Sequence, residues 1–419
     1  MGIHTQVTWS PMTDRPSAAL HDREQAEGYV AMVCFKHGPP RLLGVELEWT
    51  VHDRSDPSRP LDATLLNHAL GPHSPPAINP HHTQHRLPAG SLVTVEPGGQ
   101  VEISTPPTES AADLISVATF DTATLADLLN ESGLVLGSYG TDPHRPPSRL
   151  LQVPRYAAMQ AAFDRIGPQG SRMMCSTASM QVCLDAGETS QYAARWRAAH
   201  ALGPSLVALF ANSPHLDGRH TGWASARLRA TLGTCPPFTL PPEPSDDPAG
   251  QWARLAMRAP VICVRGDGVS WGAPQGLTFA DWIAEPDQVG RPPTVEDLDY
   301  HLTTLFPPVR PKGYLEIRYL DAQAGSGWVT PFALLAALMA RPSTVDQVLA
   351  LTEASADRWF QAARDGLADP VLRSTAASIA QLGADCLDHL DLTDAQRGQV
   401  LDDLALRLGT VPTDRQRSA

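Results

Sequence analysis

Five glutamates alternate with apolar residues in short segments of this chain, and they are the residues best suited to chemistry. They are Glu46, Glu48, Glu96, Glu102 and Glu316. Successive side chains of an extended strand point to opposite faces, so each segment would place its acids on one face and its apolar residues on the other. If these strands share a sheet, one face of that sheet carries five carboxylates.

Such a cluster is unfavourable without a compensating charge. Two carboxylates about 4 Å apart repel by about 4 kcal/mol at an effective dielectric near 20. Divalent cations that prefer oxygen ligands supply the compensation, Mg²⁺ above all, and Mg²⁺ usually shares its coordination shell with substrate phosphates. For any one acid, an ordinary solvated strand face is the alternative. Because the sequence has neither a GxxxxGK[ST] nor a GxGxxG motif, the acids together predict a nucleotide site outside the P-loop and Rossmann classes.

Arg318 follows Glu316 by two residues and would share its face of the strand. A guanidinium beside bound cations can neutralise a phosphoryl group in transfer, and a local ion pair with Glu316 is the alternative. Only two lysines occur, Lys36 and Lys312, so arginine carries nearly all the positive charge. This skew suits bidentate binding of carboxylate or phosphate, although a GC-rich genome would produce it too.

Length, charge and cysteine usage restrict the class of protein. The 419 residues predict one large domain or two closely packed ones, and the net charge of −13 argues against nucleic acid or an anionic membrane as the main partner. No apolar run reaches the roughly 20 residues of a membrane span. The six cysteines include no CxxC pair, which argues against zinc. Without a secretory signal at the N-terminus, we expect a cytoplasmic enzyme with reduced thiols; the oligomeric state stays open.

Three regions are expected along the chain: a loose N-terminal arm over 1–28, a catalytic domain over 29–340, and a helical C-terminal region over 341–419 packed against it. Strands interspersed with helices, without regular βαβ spacing, predict an α+β fold with a mainly antiparallel sheet flanked by helices. The pattern further predicts helices over 111–130, 156–163, 191–210 and 294–305, and strands over 173–185 and 261–265.

The four residues after Glu96 read Pro-Gly-Gly-Gln and have the chemistry of a turn. Pro97 presets its φ angle, and a following glycine can adopt positive φ. The segment therefore predicts a hairpin whose two arms bring Glu96 and Glu102 close together.

Longer motifs identify a family resemblance. VEPGGQVE at 95–102, ALFANSP at 208–214, and HLTTLFPPVR at 301–310 followed by YLEIR at 314–318 together closely resemble the plant-type glutamate–cysteine ligases. Actinobacterial members that make γ-glutamylcysteine for ergothioneine are the nearest in pattern. GVELE at 44–48 is similar to a strand shared more widely in that superfamily. The resemblance covers roughly residues 40–340.

The resemblance implies a curved antiparallel sheet that forms a funnel, related to the catalytic domain of glutamine synthetase, with the active site on the polar face. It implies an enzyme that couples ATP cleavage to the joining of L-glutamate and L-cysteine through γ-glutamyl phosphate, with Mg²⁺ bridging the phosphates. It implies no nucleic-acid or membrane partner.

Carried over position by position, the resemblance assigns six metal ligands: Glu46, Glu48, Glu96, Glu102, Gln181 and Glu316. It assigns the γ-phosphate contact to Arg318 and the grip on a substrate carboxylate to Arg227, both as catalytic residues. The remaining residues implied to bind nucleotide, phosphate or glutamate are Arg155, Gln100, Tyr156 and Trp223. The alternatives are an ordinary hydrogen-bonded strand residue for Gln181 and an exposed loop position for Trp223.

The chain also departs from the plant pattern. Ser176 stands where the plant pattern has arginine, and Cys183 where it has asparagine. The plant arginine's role therefore does not transfer to Ser176. No redox switch is expected, because none of the six cysteines matches the regulatory disulfides of the plant enzymes. Three rival functions stay open: a γ-glutamyl or carboxylate–amine ligase with another amine acceptor, a two-metal phosphohydrolase, and a non-catalytic metal-stabilised module.

Overall fold

A computed structural model of the chain describes residues 18–80, 83–266, 268 and 270–409. The helices within these residues are α1 (Arg23–Cys34), α2 (Ala63–Leu70), α3 (Ala111–Glu131), α4 (Pro154–Asp164), α5 (Gln169–Ser176), α6 (Tyr192–Phe210), α7 (Ala226–Leu232), α8 (Pro248–Arg258), α9 (Phe279–Ala284), α10 (Val295–Leu302), α11 (Val329–Leu338), α12 (Pro342–Thr352), α13 (Trp359–Asp365), α14 (Pro370–Asp385) and α15 (Asp394–Arg407). The strands are β1 (Leu43–Trp49), β2 (Val51–Asp53), β3 (Leu92–Val95), β4 (Val101–Ser104), β5 (Leu134–Leu136), β6 (Ser179–Leu184), β7 (His215–Leu216), β8 (Arg219–His220), β9 (Val309–Pro311) and β10 (Leu315–Asp321).

The central sheet has six strands in the order β3-β4-β1-β6-β10-β9. Every neighbouring pair is antiparallel. The predicted α+β class with an antiparallel sheet is therefore confirmed, while the curved, funnel-like shape stays a prediction.

Strand register brings the predicted acids onto one face of this sheet. On β1, Val45, Leu47 and Trp49 point into the apolar core, and the alternate positions turn to the other face, as a period of two requires. Glu48 lies directly opposite Glu102 on β4. These facing positions make the second face polar, as expected.

A bulge in β10 changes which residues reach the polar face. Ile317 pairs with Val182, but Leu320 pairs with Met180, so the strand gains one residue between those two pairs. A bulge re-aims the side chains that follow it. As a result Asp321, which a regular alternation from Glu316 would send to the core face, lies opposite Ser179 on the polar face.

Helices cover the apolar face of the sheet, α6 foremost among them. Tyr319 on β10 donates its hydroxyl to the main-chain oxygen of Ala199 on α6, and its ring meets Trp359 edge-on at 5.5 Å. Helices α12–α15 lie between residues 342 and 407, within the region 341–419 that was predicted to be helical. They join the catalytic part through Asp391, whose carboxylate accepts the main-chain N–H groups of Ala111 and Ala112 at the start of α3.

Several predicted elements need correction. Residues 1–17 of the predicted arm lie outside the described residues, and α1 begins at Arg23, so 23–28 are helical rather than irregular. Residues 173–176 belong to α5, and the strand begins only at Ser179. The sequence did not indicate this helix, because no side chain caps its start. Residues 261–265 form one isolated bridge and no strand.

Other predicted helices are confirmed, and a side-chain cap marks the start of two of them, α3 and α10. Thr294 caps α10, accepting the N–H of Asp297 while the Asp297 carboxylate accepts the N–H of Thr294. The helices predicted over 111–130, 156–163 and 191–210 correspond to α3, α4 and α6.

Among the described residues, no single helix combines the length and the apolar character needed to cross a membrane. Gly325–Leu338 and Pro342–Thr352 reach both only when taken together, across a bend of 110°.

Candidate active site

A cavity of about 500 Å³ opens on the polar face of the sheet, within the range of roughly 300–1,000 Å³ typical of small-molecule sites. The sheet forms one wall, and α1, α4, α5, α7, α8 and α10 contribute to the others. Ten of the twelve predicted site residues line it: Glu46, Glu48, Glu96, Gln100, Glu102, Arg155, Tyr156, Gln181, Arg227 and Arg318. The structure thus brings together residues from sequence positions 46 to 318.

Three carboxylates in this cavity lie close enough to share one cation. Glu48, Glu96 and Glu102 each offer an oxygen, and these oxygens all lie within 4.8 Å of one another. Ligand oxygens about 2.1 Å from an octahedral Mg²⁺ are about 3 Å apart in adjacent positions and about 4 Å apart in opposite ones. Oxygens within 4.8 Å of one another approach this spacing, so the three carboxylates could hold Mg²⁺ once they move slightly closer together.

Neighbouring side chains orient the carboxylates of this trio. One oxygen of Glu48 accepts the main-chain N–H of Ser179 at 2.6 Å and its hydroxyl at 2.8 Å. Glu102 accepts the Thr94 hydroxyl at 2.8 Å and the side-chain amide of Gln181 at 3.3 Å. Each carboxylate is held in place while keeping acceptor capacity for a cation.

A tight turn fixes Glu96 against the rest of the trio. The main-chain N–H of Glu96 donates to the main-chain oxygen of Gln100, and the N–H of Gly99 donates to the main-chain oxygen of Glu96. Gly99 has φ of +89°, which glycine adopts without strain. A Cβ at Gly98 would collide with the main-chain oxygen of Cys175. The predicted hairpin is confirmed, and its glycines are needed for conformation and for space.

Burial and mutual repulsion disfavour ionisation in this cluster. Burial, and then the Glu48 carboxylate, raise the pKa of Glu96 to about 7. Burial and the charges of Glu46, Glu48 and Glu96 raise the pKa of Glu102 well above its usual range. Burial and Glu316 raise the pKa of Glu46. A bound cation would reverse these effects, since it favours the charged form of each carboxylate.

Glu316 has a different environment from the other four acids. It is fully buried, and its oxygens contact Arg310 at 2.6 Å, Arg318 at 2.7 Å and Lys312 at 3.1 Å. Burial opposes ionisation, but these three cations together hold the pKa of Glu316 well below its usual range. Glu316 does not itself line the cavity, whereas all three of its cationic partners do.

Sequence reasoning missed Arg310 and Lys312. Arg310 ends the HLTTLFPPVR segment and lies directly opposite Glu316 where β9 pairs with β10. The pairing of β9 with β10 was not predicted, so nothing in the sequence placed either residue next to Glu316. Their positions add two positive groups to the cavity beside Arg318.

Gln181 connects the cationic and anionic halves of the site. Its side-chain oxygen accepts from the Arg318 guanidinium, and its amide nitrogen donates to Glu102. The predicted alternative, a hydrogen-bonded strand residue, describes these contacts, and the role of Gln181 as a metal ligand stays a prediction.

Arg227 enters the cavity from the first turn of α7. Its side chain is almost fully buried, one terminal nitrogen donates to the main-chain oxygen of Arg318, and the other lies 3.8 Å from the Asp321 carboxylate. Asp321 was not predicted as a site residue, because the β10 bulge that brings it to this face leaves no mark in the sequence.

Arg155 and Gln100 have their polar groups engaged within the protein. Arg155 donates to the hydroxyl and main-chain oxygen of Thr303 and lies over the ring of Tyr300. The Gln100 amide donates to the main-chain oxygens of Met174 and Thr177 and accepts the N–H of Gly98. Gln100 therefore supports the Glu96 turn, and its predicted contact with substrate stays a prediction.

Two residues at the site's edges complete the placement. Tyr156 lines the cavity, and burial together with the Glu96 carboxylate raises the pKa of its phenol. Trp223 does not line it; its ring packs under the guanidinium of Arg229 at 4.7 Å. Trp223 lies in a loop, as the alternative predicted, but it is partly buried against the core rather than exposed.

Comparisons of the sequence with known proteins identify the family of this chain. The profile of the family described as "Glutamate-cysteine ligase family 2 (GCS2)" matches residues 42–407. The chain is 40% identical over 374 residues to the glutamate–cysteine ligase EgtA of Mycolicibacterium smegmatis, covering 86% of this chain and 84% of that one. It is 40% identical over 359 residues to EgtA of Mycobacterium tuberculosis, covering 84% of this chain and 80% of that one.

A solved structure extends the likeness to the fold. The bifunctional glutathione synthetase of Pasteurella multocida superposes with a TM-score of 0.50 at 12% identity, over 94% of this chain and 50% of that one. The family resemblance predicted from the sequence motifs is confirmed by the profile match and by both EgtA relatives. The chain belongs to glutamate–cysteine ligase family 2.

Proposed function

We propose that this protein is an ATP-dependent glutamate–cysteine ligase that forms γ-glutamylcysteine from L-glutamate and L-cysteine through γ-glutamyl phosphate. One observation carries the proposal: three carboxylates within 4.8 Å of one another share a cavity with Arg310, Lys312 and Arg318. Metal-binding oxygens next to a group of cations are what Mg²⁺ and a nucleotide triphosphate require.

The carboxylates of Glu48, Glu96 and Glu102 would hold Mg²⁺, with Glu46 beside them on β1. When bound, Mg²⁺ withdraws charge from the β- and γ-phosphates and aligns them for transfer. The three carboxylates repel one another in the absence of a cation, and this repulsion favours cation binding.

Arg318, Arg310 and Lys312 would bind the phosphate oxygens. All three line the cavity and contact Glu316, which holds their side chains in one region. Arg318 lies nearest to the metal trio, linked to Glu102 through Gln181, so we assign it the γ-phosphate contact. Ligation of metal by Glu316 would require these ion pairs to open.

Arg227 would bind a carboxylate of glutamate. It is buried in the cavity wall and it is a neighbour of Arg318. A substrate held there directs its other carboxylate towards the phosphate region. Phosphorylation of that carboxylate is needed because its leaving group would otherwise be oxide, and the cysteine amine attacks the resulting acyl phosphate in its neutral form.

The shape of the site supports a funnel. The polar face of the sheet forms its floor, and six helices contribute to the surrounding walls. We propose that the sheet curves around the cavity as in the catalytic domain of glutamine synthetase. Residues 29–340 would form the catalytic domain, with the helices that follow packed against it. Both EgtA relatives carry the name of a glutamate–cysteine ligase, which supports the reaction and, with the motif resemblance, a place in ergothioneine biosynthesis.

An ADP-release assay tests the reaction directly. Purified protein with ATP and Mg²⁺ should release ADP only when glutamate and cysteine are both present, and EDTA should stop it. ADP release without either amino acid would instead indicate a phosphohydrolase, and no release under any condition would indicate a binding module.

The identity of the amine acceptor is tested in the same assay. Replacing cysteine with ammonia, glycine or serine should lower the rate steeply, and mass spectrometry should find γ-glutamylcysteine as the product. A protein that fails with cysteine and turns over another amine is a γ-glutamyl ligase of a different specificity.

A further inference from the structure

Asp321 is a buried carboxylate with three donors arranged around it. One oxygen accepts the main-chain N–H of Asn212 at 2.8 Å and the hydroxyl of Ser213 at 2.7 Å; the other accepts the hydroxyl of Ser225 at 2.7 Å. Asn212 and Ser213 belong to the ALFANSP motif, to which the metal and phosphate sites give no role. Two residues of this motif therefore hold the Asp321 carboxylate in place.

Both serine hydroxyls also accept hydrogen bonds from main-chain N–H groups of helix α7. Ser213 accepts the main-chain N–H of Arg227 at 3.1 Å, and Ser225 accepts that of Leu228 at 3.1 Å. The first turn of α7 is thereby fixed to the end of β10 through two serine hydroxyls and one carboxylate. Because Arg227 lies in that turn, Asp321 sets both the position of its backbone and the charge beneath its side chain.

The Arg227 guanidinium keeps one nitrogen unused. Its Nη1 lies 3.8 Å from Asp321, beyond hydrogen-bond distance. Among the described residues, this nitrogen has no hydrogen-bond partner although it is buried. Its Nη2 is held by the main-chain oxygen of Arg318, within the bulge that also brings Asp321 to the polar face. A buried donor without a partner is unfavourable, so an incoming acceptor would be bound strongly.

We propose that Asp321 is a positioning residue for substrate recognition: it neutralises and orients Arg227 without occupying Nη1, which stays free for a carboxylate of the amino-acid substrate. This inference rests on the proposed function. It assigns the ALFANSP motif to substrate recognition through Asp321 rather than to contact with substrate, and it makes the β10 bulge a requirement for that recognition.

The test uses Asp321→Asn, which keeps the size of the side chain and removes its charge. The matched control is Asp121→Asn, a fully buried carboxylate that accepts the N–H groups of Ala89 and Ser91 far from the cavity. Asp321→Glu is unsuitable, because a longer side chain would move the carboxylate away from its three donors. Ser213→Ala serves as a second, milder variant if Asp321→Asn does not fold.

The measurements are the KM values for glutamate and ATP and the inhibition constant of glutarate, which carries the two carboxylates of glutamate and competes with it. In Asp321→Asn, the KM for glutamate and the inhibition constant of glutarate should rise at least about tenfold, the effect of weakening one charge-assisted hydrogen bond. The KM for ATP should stay within about twofold of wild type. Ser213→Ala should shift the same constants in the same direction by a smaller factor, and Asp121→Asn should change none of them.

Equal weakening of glutarate and ATP binding would show that Asp321 merely maintains the fold, and unchanged glutarate inhibition would show that it does not act on Arg227. Either result overturns the inference and leaves the ligase function standing. Wild-type protein that releases no ADP with glutamate and cysteine refutes the proposed function, and the inference with it.

Discussion

Replacing Glu102 with glutamine should make the metal-free protein more stable and should weaken its response to Mg²⁺. Glu102 is buried at 7% exposure between Glu48 and Glu96, with oxygens of all three within 4.8 Å. At an effective dielectric near 20, each of its two repulsions amounts to at least about 3.5 kcal/mol. Removing its charge removes both.

The measured gain will be smaller than the sum of those repulsions. The pKa of Glu102 is raised well above its usual range, so proton uptake already relieves part of the repulsion in the wild type. A gain of about 1–3 kcal/mol is expected, and for a chain of 419 residues this corresponds to a rise in Tm of about 1–3 °C.

Thermal unfolding in EDTA and across a Mg²⁺ titration measures both effects. Cation binding to the folded state raises Tm by mass action, so the wild type should gain stability with Mg²⁺ while Glu102→Gln gains little at the same concentrations. Glu188→Gln, at an exposed turn position, is the matched control and should behave like the wild type in both conditions.

Two results would refute this reasoning. A Mg²⁺-induced rise in Tm that is equal in Glu102→Gln and wild type would show that the trio does not hold the ion. A variant less stable than wild type in EDTA would show that hydrogen bonds from Thr94 and Gln181 outweigh the repulsion.

Three further predictions concern single residues. Arg318→Lys should lower the rate of ADP release about a hundredfold or more, because one ammonium cannot bind phosphate and keep the contacts to Gln181 and Glu316; a rate within threefold of wild type leaves Arg318 an ion-pair partner only. Glu316→Gln should cost about 3 kcal/mol in urea unfolding, since three cations lose their shared carboxylate, yet keep the Mg²⁺-induced rise in Tm; loss of that rise would identify Glu316 as a metal ligand. Burial lowers the pKa of His301 from 6.5 to about 4. Between those pH values this histidine is protonated in the unfolded chain and neutral in the folded protein. The folded protein therefore loses about 3 kcal/mol of stability as pH falls through this range. His301→Gln should flatten that loss in urea unfolding at several pH values, and an unchanged slope contradicts the assignment.

Much of the candidate metal site could be predicted from periodicity and turn chemistry alone. The alternation around Glu46 and Glu48 determines a face because side chains on a strand have a period of two. The Pro-Gly-Gly-Gln segment determines a turn because of its φ requirements. Both signals are local, and together they place Glu96 directly after one strand and Glu102 on the next.

The remaining parts of the site depend on pairings that local patterns do not encode. Arg310 and Lys312 meet Glu316 only because β9 pairs with β10. Asp321 reaches the polar face only because of a bulge, and no residue type marks that bulge in the sequence. Residues 173–176 precede an alternating strand segment, and nothing in the sequence marks the helix α5 that they form against the Glu96 turn.

The turn between Glu96 and Gln100 also limits how this enzyme can be redesigned. The main-chain oxygen of Pro97 accepts the N–H groups of Leu150 and Leu151, Gly98 has no space for a side chain, and the Gln100 amide is fully engaged. Mutant libraries aimed at a new acceptor amine should leave these positions untouched. Diversity is better concentrated at Met159, Met173 and Thr231, which line the cavity from α4, α5 and α7 and have no part in the proposed binding of metal, phosphate or glutamate.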